Sequence, residues 1–485
     1  MGDHLLGIDL GSTSIKAGIF APDRTAVQMF GETYLTHRTP GGICEQNPDD
    51  WMRLIDKAFA QFRDAGLTAR VGRGALTSQV NTHVFVDRHG QPLAPAILWQ
   101  DTRAAAEASE LDARLSDADK SAWLGAPIPI DASHCLARML WMQRHHPDIW
   151  DKTAHVLLPK DYALFKLTGD LATDPLSNVG LVGLDGRYVT PILDLVPGAA
   201  DRMAPIRGLT EIMGETSDGI AMATATMDGW VGLFGAGACR PGAFAYLSGT
   251  SEILGAASAT VTNEPGVVVF SEIEGVRLHA GPTQSGGATQ QWLCDLTGLT
   301  IPQIVQMLDR SGRQPTTPLF LPHLAGERAP LWNADLRGAF LGMETGAGTG
   351  DLVRAVYEGI GFSARHLLEA LEASTAATAD TLLCGGGGFK SGPLAQIRAD
   401  VLGKRLKRLA INEPGVVGAA SIAAASDAAA RSLTEAHAPF ARFDHSWEPD
   451  PARRGFYDDL FGLYKEALEI NATLGHRIST LRPQT

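Results

Sequence analysis

Two short segments, more than two hundred residues apart, share one pattern and constrain the fold more than any other feature of the sequence. The first reads GIDLGSTSIKAGIF, in which apolar runs at 5–10 and 15–20 flank a turn of small residues. The second reads AFAYLSGTSEILGAAS, with a similar turn at 249–251 between runs at 243–248 and 253–256. Short apolar runs joined by such a turn predict a β-hairpin. Two hairpins of this kind predict two related halves.

The tips of both predicted hairpins offer the same chemistry. Turns of Gly, Ser and Thr present backbone N–H groups and hydroxyls that can converge on phosphate oxygens. One such turn alone usually only reverses the chain, but the pair favours a phosphate-binding role.

A third glycine cluster lies in LLCGGGGFKSGPLAQIRADVLG. The pattern predicts a strand that ends at 382–384, a glycine turn at 385–388 and a helix over 393–402. Strand, glycine turn and helix together are the general form of a nucleotide-binding element. The segment has neither GxGxxG nor a Walker lysine, which disfavours Rossmann and P-loop interpretations.

Composition limits the classes of function. With 485 residues, 45% hydrophobic and 20% charged, the chain is an ordinary globular protein of two or three domains. The net charge of -13 disfavours nucleic acid as a partner. The five cysteines are scattered without CxxC, which indicates a reducing compartment. No apolar run approaches the roughly 18 residues of a membrane span, so we expect a cytoplasmic protein.

Helical patterns separate the predicted strands and indicate an α/β protein. The segment NPDDWMRLIDKAFAQFRDA has acidic residues in its first turn and apolar residues at helical spacing. AHVLLPKDYALFKLTG and DLVRAVYEGIGFSARHLLEALEA have similar patterns. The best candidate for a domain boundary is the glycine-rich stretch GWVGLFGAG.

Asp228, in TATMDGWVGLFGAG, is the only charged residue between Asp218 and Arg240. A carboxylate in apolar surroundings is costly unless it is paired, bound to a metal or neutralised. From the residues alone, it is either a functional carboxylate or the N-cap of the following helix. Asp9, inside the first predicted hairpin, is also unfavourable in a strand and either has a cation partner or bonds to a nearby turn.

Together these segments resemble the FGGY family of carbohydrate kinases, within the actin, Hsp70 and hexokinase superfamily. GIDLGSTSIKAGIF, CEQNPDDW, PAILWQDTR and LSGTSEI are similar to successive motifs of that family. GAFLGMETGAGTGDLVRAVYE, at 338–358, is similar to its C-terminal signature. VLLPKDYALFKLTGD and FLPHLAGERAP look most like xylulokinases. The resemblance covers nearly the whole chain.

The resemblance implies an α/β, two-domain actin/hexokinase-like (ribonuclease H-like) fold with the active site in the interdomain cleft. Residues 1–231 would form an N-terminal domain that binds the sugar and carries the first phosphate hairpin. Residues 232–455 would form a C-terminal, nucleotide-binding domain. Residues 456–485 would form a helix that packs back on the N-terminal domain.

The implied activity is transfer of the γ-phosphate of ATP to a hydroxyl of a ketopentose or related polyol, as in xylulokinases. The cofactors would be ATP and Mg²⁺, the partners a small sugar and ATP, and the assembly a homodimer. Three alternatives stay open. They are a kinase for another pentulose or a tetritol, a non-enzymatic actin- or Hsp70-like ATP-binding protein, and an oxidoreductase that binds a dinucleotide through the glycine-rich loops.

The resemblance also implies roles for individual residues. Asp228 would be the general base and a sugar ligand, and Asp9 would hold Mg²⁺ largely through water. The residues expected to contact ATP are Gly11, Ser12, Thr13, Lys16, Gly249, Thr250, Ser251, Gly386, Gly387 and Gln396. The remaining sugar candidates are Val80, Asn81, Trp99 and Asp101. Lys16 could instead be solvated and Trp99 part of the core, and Glu327 with Arg328 is expected to form a structural ion pair.

Two segments depart from the family pattern. Xylulokinases carry Gly-Gln-Met-His-Gly where this chain reads SQVNT, so Val80 and Asn81 replace the Met–His pair that contacts sugar. Glycerol kinases place an Arg–Glu pair there, so glycerol is poorly supported, and a polyol of open identity is expected. In CLARMLW, Cys135 and Arg138 replace the expected small residue and lysine, in a segment that we expect to serve in packing.

Overall fold

The structure is a computed structural model that describes residues 2–39, 41–260, 262, 264–430 and 432–481, without the side chains of residues 479 and 480. The strands in chain order are β1 His4–Leu10, β2 Ser14–Phe20, β3 Ala26–Thr33, β4 His37–Thr39, β5 Ile43–Gln46, β6 Val71–Ser78, β7 Val84–Val86, β8 Ala96–Ile97, β9 His155–Leu157, β10 Ile212–Glu215, β11 Ala221–Ala223, β12 Phe244–Ser248, β13 Glu252–Ser258, β14 Val268–Val269, β15 Arg277–Pro282, β16 Leu319–Leu321, β17 Ala339–Leu341, β18 Thr381–Gly385, β19 Arg405–Leu409 and β20 Phe443–Trp447. The helices are α1 Pro48–Asp64, α2 Ala105–Asp112, α3 Asp117–Leu124, α4 Cys135–His145, α5 Pro147–Lys152, α6 Pro159–Thr168, α7 Thr190–Leu193, α8 Asp228–Ala236, α9 Gly287–Thr297, α10 Ile301–Arg310, α11 Thr349–Thr375, α12 Gly392–Leu402, α13 Pro414–Ala425, α14 Leu433–His437 and α15 Arg454–Thr480.

The chain divides into two compact units, each assembled from separate segments. Unit 1 comprises Met1–Gly235, Ser271–Glu274 and Gly415–Phe440. Unit 2 comprises Ala236–Phe270, Gly275–Pro414 and Ala441–Thr485. The first crossing between units falls inside GWVGLFGAG, where the sequence suggested a boundary. The return of 415–440 to unit 1 has no counterpart in the domain limits expected from sequence.

Unit 1 is built on a six-stranded sheet of order β10-β11-β6-β1-β2-β3. β1, β2 and β3 form an antiparallel meander, and β6 and β11 continue the sheet parallel to β1. β1 is a central strand, and its near-continuous apolar run HLLGIDL suits burial on both faces. Trp51, Leu54 and Phe59 of α1 pack in the same core.

Unit 2 repeats this arrangement in a seven-stranded sheet of order β14-β15-β13-β12-β18-β19-β20. β12, β13 and β15 form the meander, and β18 and β19 continue the sheet parallel to β12. In both sheets the outer neighbour of the last parallel strand is antiparallel to it. The prediction of two related halves is therefore confirmed by strand order and direction.

Local sequence signals explain most of the predicted elements. α1 begins after Asn47, whose side chain accepts from the N–H of Asp49, with Pro48 in the first turn, and the predicted helix is confirmed. The helices predicted at 393–402 and in DLVRAVYEGIGFSARHLLEALEA are also confirmed as α12 and α11. AHVLLPKDYALFKLTG is only partly helical, because His155–Leu157 pairs with β7 as strand β9 and α6 begins at Pro159.

The C-terminal helix α15 differs from its expected position. It was expected to pack on the N-terminal domain, but its buried face joins the core of unit 2 through Tyr457, Phe461, Tyr464 and Leu468. The hydroxyl of Tyr464 lies 2.9 Å from Nε2 of the buried His323. The sequence pattern marks the apolar face of a helix but does not identify the surface that the face covers.

Candidate active site

Asp228 is the first residue of α8 and is half-buried. Its Oδ1 accepts a hydrogen bond from the backbone N–H of Gly229 at 2.8 Å. Burial, and then the negative charge of Asp9, raise the pKa of Asp228 to about 7. Asp228 can therefore both begin α8 and serve as a functional carboxylate. A carboxyl that titrates near neutral pH is suited to accept a proton in a reaction.

Asp9 lies in β1 with its half-buried carboxylate against the start of α13. A Cβ atom on Gly415 would overlap Oδ2 of Asp9, so only glycine allows the helix to begin this close. The N-terminal end of a helix favours negative charge. Lys16 is the cross-strand partner of Asp9 in β2, so both side chains lie on one face of the sheet.

Tyr34 supports the tip of the β1–β2 hairpin, and nothing in the sequence pattern marked it. Its hydroxyl donates to the carbonyl of Gly11 and lies 3.4 Å from the carbonyl of Ser14. Burial, with the charges of Asp9 and Asp228, raises the pKa of Tyr34 well above its usual value. The hydroxyl therefore stays protonated beside the two carboxylates and holds the turn.

Two further side chains hold Ser12 at the same tip. Nε1 of Trp99 donates to Oγ of Ser12 at 2.9 Å, and Nε2 of Gln46 donates to the Ser12 carbonyl at 2.8 Å. Because its oxygen accepts from Trp99, the Ser12 hydroxyl has its hydrogen available for a ligand. Trp99 is half-buried, so its ring borders this tip rather than lying in the core. Gln46 belongs to the CEQNPDDW motif, and that motif is the sequence signal that could have identified it.

The β12–β13 hairpin of unit 2 has an exposed tip. Gly249 and Thr250 are exposed and Ser251 is half-buried. The carbonyls of Gly249 and Thr250 accept from the N–H groups of Gly287 and Ala288, at the start of α9. These bonds fix the tip while the hydroxyl of Thr250 stays at the surface.

A buried ion pair supports the base of that hairpin. Nη2 of Arg398, in α12, lies 2.9 Å from Oε1 of Glu252 and 3.2 Å from Oγ of Ser248. Nη1 of Arg398 donates to the carbonyl of Gly388 at 2.9 Å. The carboxylate of Glu252 raises the pKa of Arg398 despite the opposing effect of burial. One guanidinium thus links the second hairpin to the third glycine cluster.

The third glycine cluster is held by Asn412. Its side chain accepts from the N–H of Gly386 at 2.9 Å and donates to the Gly386 carbonyl at 2.8 Å. Gly386 has φ of 98°, a conformation that favours glycine, and Gly387 is exposed. Asn412 was not predicted, because it lies 26 residues from the turn that it holds.

Gln396 differs from its expected role beside the nucleotide. Its Nε2 donates to Oδ1 of Asp400 and to the carbonyl of Glu448, both at 2.8 Å. These two bonds use both amide hydrogens to tie α12 to the segment before α15. The structure therefore favours a structural role for Gln396.

Val80 and Asn81 are both half-buried in the loop after β6. Asn81 has φ of 50°, which Asn tolerates better than most residues. Its Nδ2 donates to Oγ of Ser133 at 3.1 Å. The amide oxygen of Asn81 thus provides an acceptor, and Val80 an apolar contact, at this position.

Arg138 organises this loop, beyond the packing role expected for its segment. It is fully buried in α4 and donates to the carbonyls of Asn81, Ile97 and Leu98. Nη1 also lies 2.8 Å from Nδ1 of His83. Burial lowers the pKa of Arg138 to about 10, so it is charged at neutral pH. One side chain therefore fixes the two strand ends that carry the sugar candidates.

Asp101 also differs from its expected role as a sugar ligand. Its side chain is buried, Oδ1 accepts from the backbone N–H and Nε of Arg103, and Oδ2 accepts from Nη2 of Arg103 and the N–H of Cys44. A carboxylate has about four acceptor positions, and all are used. Asp101 is therefore a positioning residue.

A buried charge cluster lies behind the segment that leads to Asp228. Nζ of Lys160 lies 2.6 Å from Asp161 and 2.8 Å from Asp174, and all three side chains are almost completely buried. Oδ1 of Asp174 accepts from the hydroxyl of Thr226 at 2.6 Å. The carbonyl of Thr226 in turn accepts from Thr77 in β6 at 2.6 Å. These bonds fix the backbone two residues before Asp228.

Glu327 does not form the ion pair with the Arg328 side chain that was expected from the sequence. Its Oε2 accepts from Nδ1 of His323 at 2.8 Å and from the hydroxyls of Ser285 and Ser363. Arg328 contributes its backbone N–H to Oε1 at 2.9 Å. The structural role is therefore as expected, but the side chain that pairs with Glu327 is His323 rather than Arg328.

The described residues contain no group of three or more His, Cys, Asp or Glu side chains arranged to hold a metal ion. None of the helices within these ranges is long and apolar enough to cross a bilayer.

The chain matches the sequence profiles of the FGGY family of carbohydrate kinases, with the N-terminal domain at residues 4–235 and the C-terminal domain at 244–426. It belongs to this family. The repeated sheets are accordingly those of a two-domain actin/hexokinase-like fold, and the predicted family and fold class are confirmed. The protein is a carbohydrate kinase.

Three related proteins illustrate the similarity. The xylulose kinase of Escherichia coli K12 is 28% identical over 96% of this chain and 100% of its own length. The gluconokinase of Bacillus subtilis strain 168 is 25% identical over 83% of each chain. The crystal structure of a xyloylose kinase from Brucella ovis has a TM-score of 0.87 at 25% identity and covers 97% of this chain and 100% of its own.

Proposed function

We propose that this kinase transfers the γ-phosphoryl group of ATP to a hydroxyl of a ketopentose, with xylulose as the first candidate. The observation that carries the proposal is the half-buried carboxylate of Asp228, whose pKa is raised to about 7 by burial and by Asp9. The similarity to xylulose kinases over almost the full chain supports the choice of sugar.

Asp228 acts as the general base. Its carboxylate accepts the proton of the sugar hydroxyl while that oxygen forms a bond to the γ-phosphorus of ATP. The bond between the γ-phosphorus and the bridging oxygen breaks, and ADP leaves with the electron pair. No cation among the described residues pairs with Asp228, so its carboxylate stays basic enough for this step.

The hairpin tips and the third glycine cluster contact ATP. Ser12 donates its hydroxyl to a phosphate oxygen, because its own oxygen is occupied by Trp99. The other residues assigned to ATP are Gly11, Thr13, Lys16, Gly249, Thr250, Ser251, Gly386 and Gly387. Backbone N–H groups and hydroxyls at such turns suit phosphate oxygens.

Asp9 holds Mg²⁺. Mg²⁺ usually keeps several waters and binds one or two carboxylates together with substrate phosphates, and a half-buried carboxylate beside the proposed phosphate hairpin fits that description. When bound, the ion neutralises charge on the phosphates. The protein's own contribution is to orient Asp9 through the close approach of Gly415.

We expect Gly415→Ala to lower kcat/KM by roughly 10- to 100-fold, because a new methyl group displaces the Asp9 carboxylate and small misplacements cost this much. The Mg²⁺ concentration for half-maximal activity should rise as well. Both are measured by ADP release at varied Mg²⁺.

Gly462→Ala, in α15, is the matched control, since a Cβ there meets open space. It should leave the Mg²⁺ dependence unchanged. An unaltered Mg²⁺ dependence in Gly415→Ala would remove Asp9 from the proposed role.

Val80 and Asn81 are proposed to contact the sugar, together with Trp99 and Asp228. The amide of Asn81 can accept from and donate to hydroxyls, but it differs in shape from the His of xylulokinases. This difference supports one alternative substrate class, another pentulose or a tetritol.

A substrate panel tests the proposal. ADP release is measured with ATP, Mg²⁺ and xylulose, other pentuloses, tetritols, gluconate or glycerol, with both enantiomers where they exist. Xylulose should give the highest kcat/KM. A preference for another pentulose or a tetritol would select the alternative. Equal ATP hydrolysis with and without every sugar would contradict the proposed reaction.

A further inference from the structure

Glu327 is a buried carboxylate of unit 2 that connects to one of the proposed phosphate-binding tips. Its Oε1 accepts from the backbone N–H of Gln284, and its Oε2 accepts from the hydroxyl of Ser285 at 2.8 Å. Burial acts to raise the pKa of Glu327, but the hydrogen bonds that it accepts, first that from His323, hold the pKa below its usual value. The group is therefore an ionised carboxylate, which only accepts hydrogen bonds.

The other contacts of Glu327 anchor it to the helices of unit 2. The hydroxyl of Ser363, in α11, donates to Oε2 at 3.0 Å. Nδ1 of His323 lies 2.8 Å from the same oxygen, and Nε2 of His323 lies 2.9 Å from the hydroxyl of Tyr464 in α15. Glu327 is thus a fixed point for the segment that leads into α9.

This segment, residues 283–288, connects Glu327 to the tip of the β12–β13 hairpin. Two of its backbone N–H groups, at the start of α9, donate to the carbonyls of Gly249 and Thr250 at 3.0 and 2.8 Å. A Cβ atom on Gly287 would overlap the carbonyl oxygen of Gly249, so the two backbones are in direct contact. One short stretch of backbone therefore links the carboxylate to the tip.

The direction of the two tip carbonyls matters for an anion. Phosphate oxygens are attracted by N–H groups and repelled by carbonyl oxygens, which carry partial negative charge. While the carbonyls of Gly249 and Thr250 accept from α9, they are not presented to a phosphate. Movement of residues 283–288 would free these peptide planes to rotate and would turn the carbonyls towards the anion.

We propose that Glu327 is a positioning residue for ATP, which fixes the start of α9 and, through it, the tip at residues 249–251. This inference rests on the proposed contact of that tip with ATP. The proposed sugar contacts all lie in unit 1, namely Val80, Asn81, Trp99 and Asp228. Glu327 therefore sets the affinity for ATP and not the affinity for sugar.

The first test is Glu327→Gln. The amide keeps the volume but removes the charge, and hydrogen bonds to a charged group are about twice as strong as neutral ones. The KM for ATP should rise roughly 10-fold, while the KM for sugar should not change. Loss of folded protein would instead lower kcat and leave both KM values unaltered. Both are measured by steady-state ADP release, with xylulose or the preferred sugar of the panel.

Glu358→Gln is the matched control. Glu358, in α11, is a second buried carboxylate of unit 2, and its partners are Arg313 and Tyr457. This variant should have a lower melting temperature but an unchanged KM for ATP. An equal rise in the KM for ATP in both variants would overturn the proposal.

A milder pair of variants keeps the test decisive where Glu327→Gln folds poorly. Ser285→Ala and Ser363→Ala each remove one hydroxyl donor from Oε2 of Glu327, but only Ser285 lies in the segment 283–288. Ser285→Ala should raise the KM for ATP several-fold, and Ser363→Ala should leave it close to the wild-type value. Equal effects of the two changes would contradict the proposed link.

Hydrogen–deuterium exchange of the ligand-free protein separates this inference from the assignment of the tip to ATP. Backbone amides at 249–251 and 284–288 should exchange faster in Glu327→Gln than in wild type, and not in Glu358→Gln. Unchanged exchange would overturn the role of Glu327 and leave the assignment of the tip standing. Faster exchange with an unchanged KM for ATP would overturn both.

Discussion

Asp228→Asn should lower kcat by roughly 10³-fold, the typical effect of losing a general base. The amide has nearly the same shape but cannot accept the proton of the incoming hydroxyl. The N–H of Gly229 can still donate to the amide oxygen, so the start of α8 is retained. Binding of ATP and sugar should therefore change little. The measurement is steady-state ADP release, with ligand binding by calorimetry.

The pH dependence gives a second measurement on the same residue. Because the pKa of Asp228 is about 7 in the free enzyme, wild-type kcat/KM should fall as pH drops through 7, and the residual activity of Asp228→Asn should lack this step. Asp56→Asn, at an exposed position of α1, is the control and should behave as wild type. A variant that keeps most of its activity would contradict the role of Asp228.

Asp228→Asn should also stabilise the fold at alkaline pH. Since burial raises the native pKa of Asp228 above the usual pKa of an Asp side chain, about 3.9, the folded state binds the proton more tightly than the unfolded state. Ionisation therefore destabilises the folded state progressively from about pH 4 to 7. The variant should have a higher melting temperature than wild type at pH 8 and a smaller difference at pH 5.

The largest loss of stability is expected for Lys160→Met. The side-chain volume is similar, but Asp161 and Asp174 are left buried without their cation. Removing one partner of a buried ion pair typically costs about 3–5 kcal/mol of unfolding free energy. The pKa of Lys160 supports this, since the two carboxylates raise it against the lowering effect of burial. Equilibrium urea unfolding measures the change.

Two comparisons isolate the buried charge as the cause. Lys152→Met removes an exposed lysine at the end of α5 and should change stability by only a few tenths of a kcal/mol. Adding Asp161→Asn to Lys160→Met should recover part of the loss, because one uncompensated charge disappears. If the single variant were as stable as wild type, the cluster would not support the segment before Asp228.

Patterns among residues close in sequence were sufficient to predict the hairpins and part of the candidate active site. Alternating or continuous apolar runs with small-residue turns identified both hairpins, because these patterns depend on residues close in sequence. The isolation of Asp228 among apolar residues was likewise visible as spacing. Its raised pKa required the structure, since the contribution of Asp9 comes from a residue 219 positions away.

The supporting residues were not predictable in the same way. Tyr34, Arg138 and Asn412 act on turns or loops that are distant in sequence, through hydrogen bonds to backbone atoms. Asp101 and Gln396 matched family positions, but the carboxylate of Asp101 and the amide hydrogens of Gln396 are already used by neighbours in space. A motif gives the type of residue, whereas the available donors and acceptors depend on packing.

The amino-acid sequence by itself determined the two related halves, their hairpins and helices, and the family of carbohydrate kinases, because each is encoded in short-range patterns. Only the tertiary structure decided that Gly415 admits the carboxylate of Asp9, that His323 pairs with Glu327, and that α15 packs on unit 2. These features depend on contacts between segments far apart in the chain. Such contacts are set by the folding of the whole core and leave no periodic signal in either segment alone.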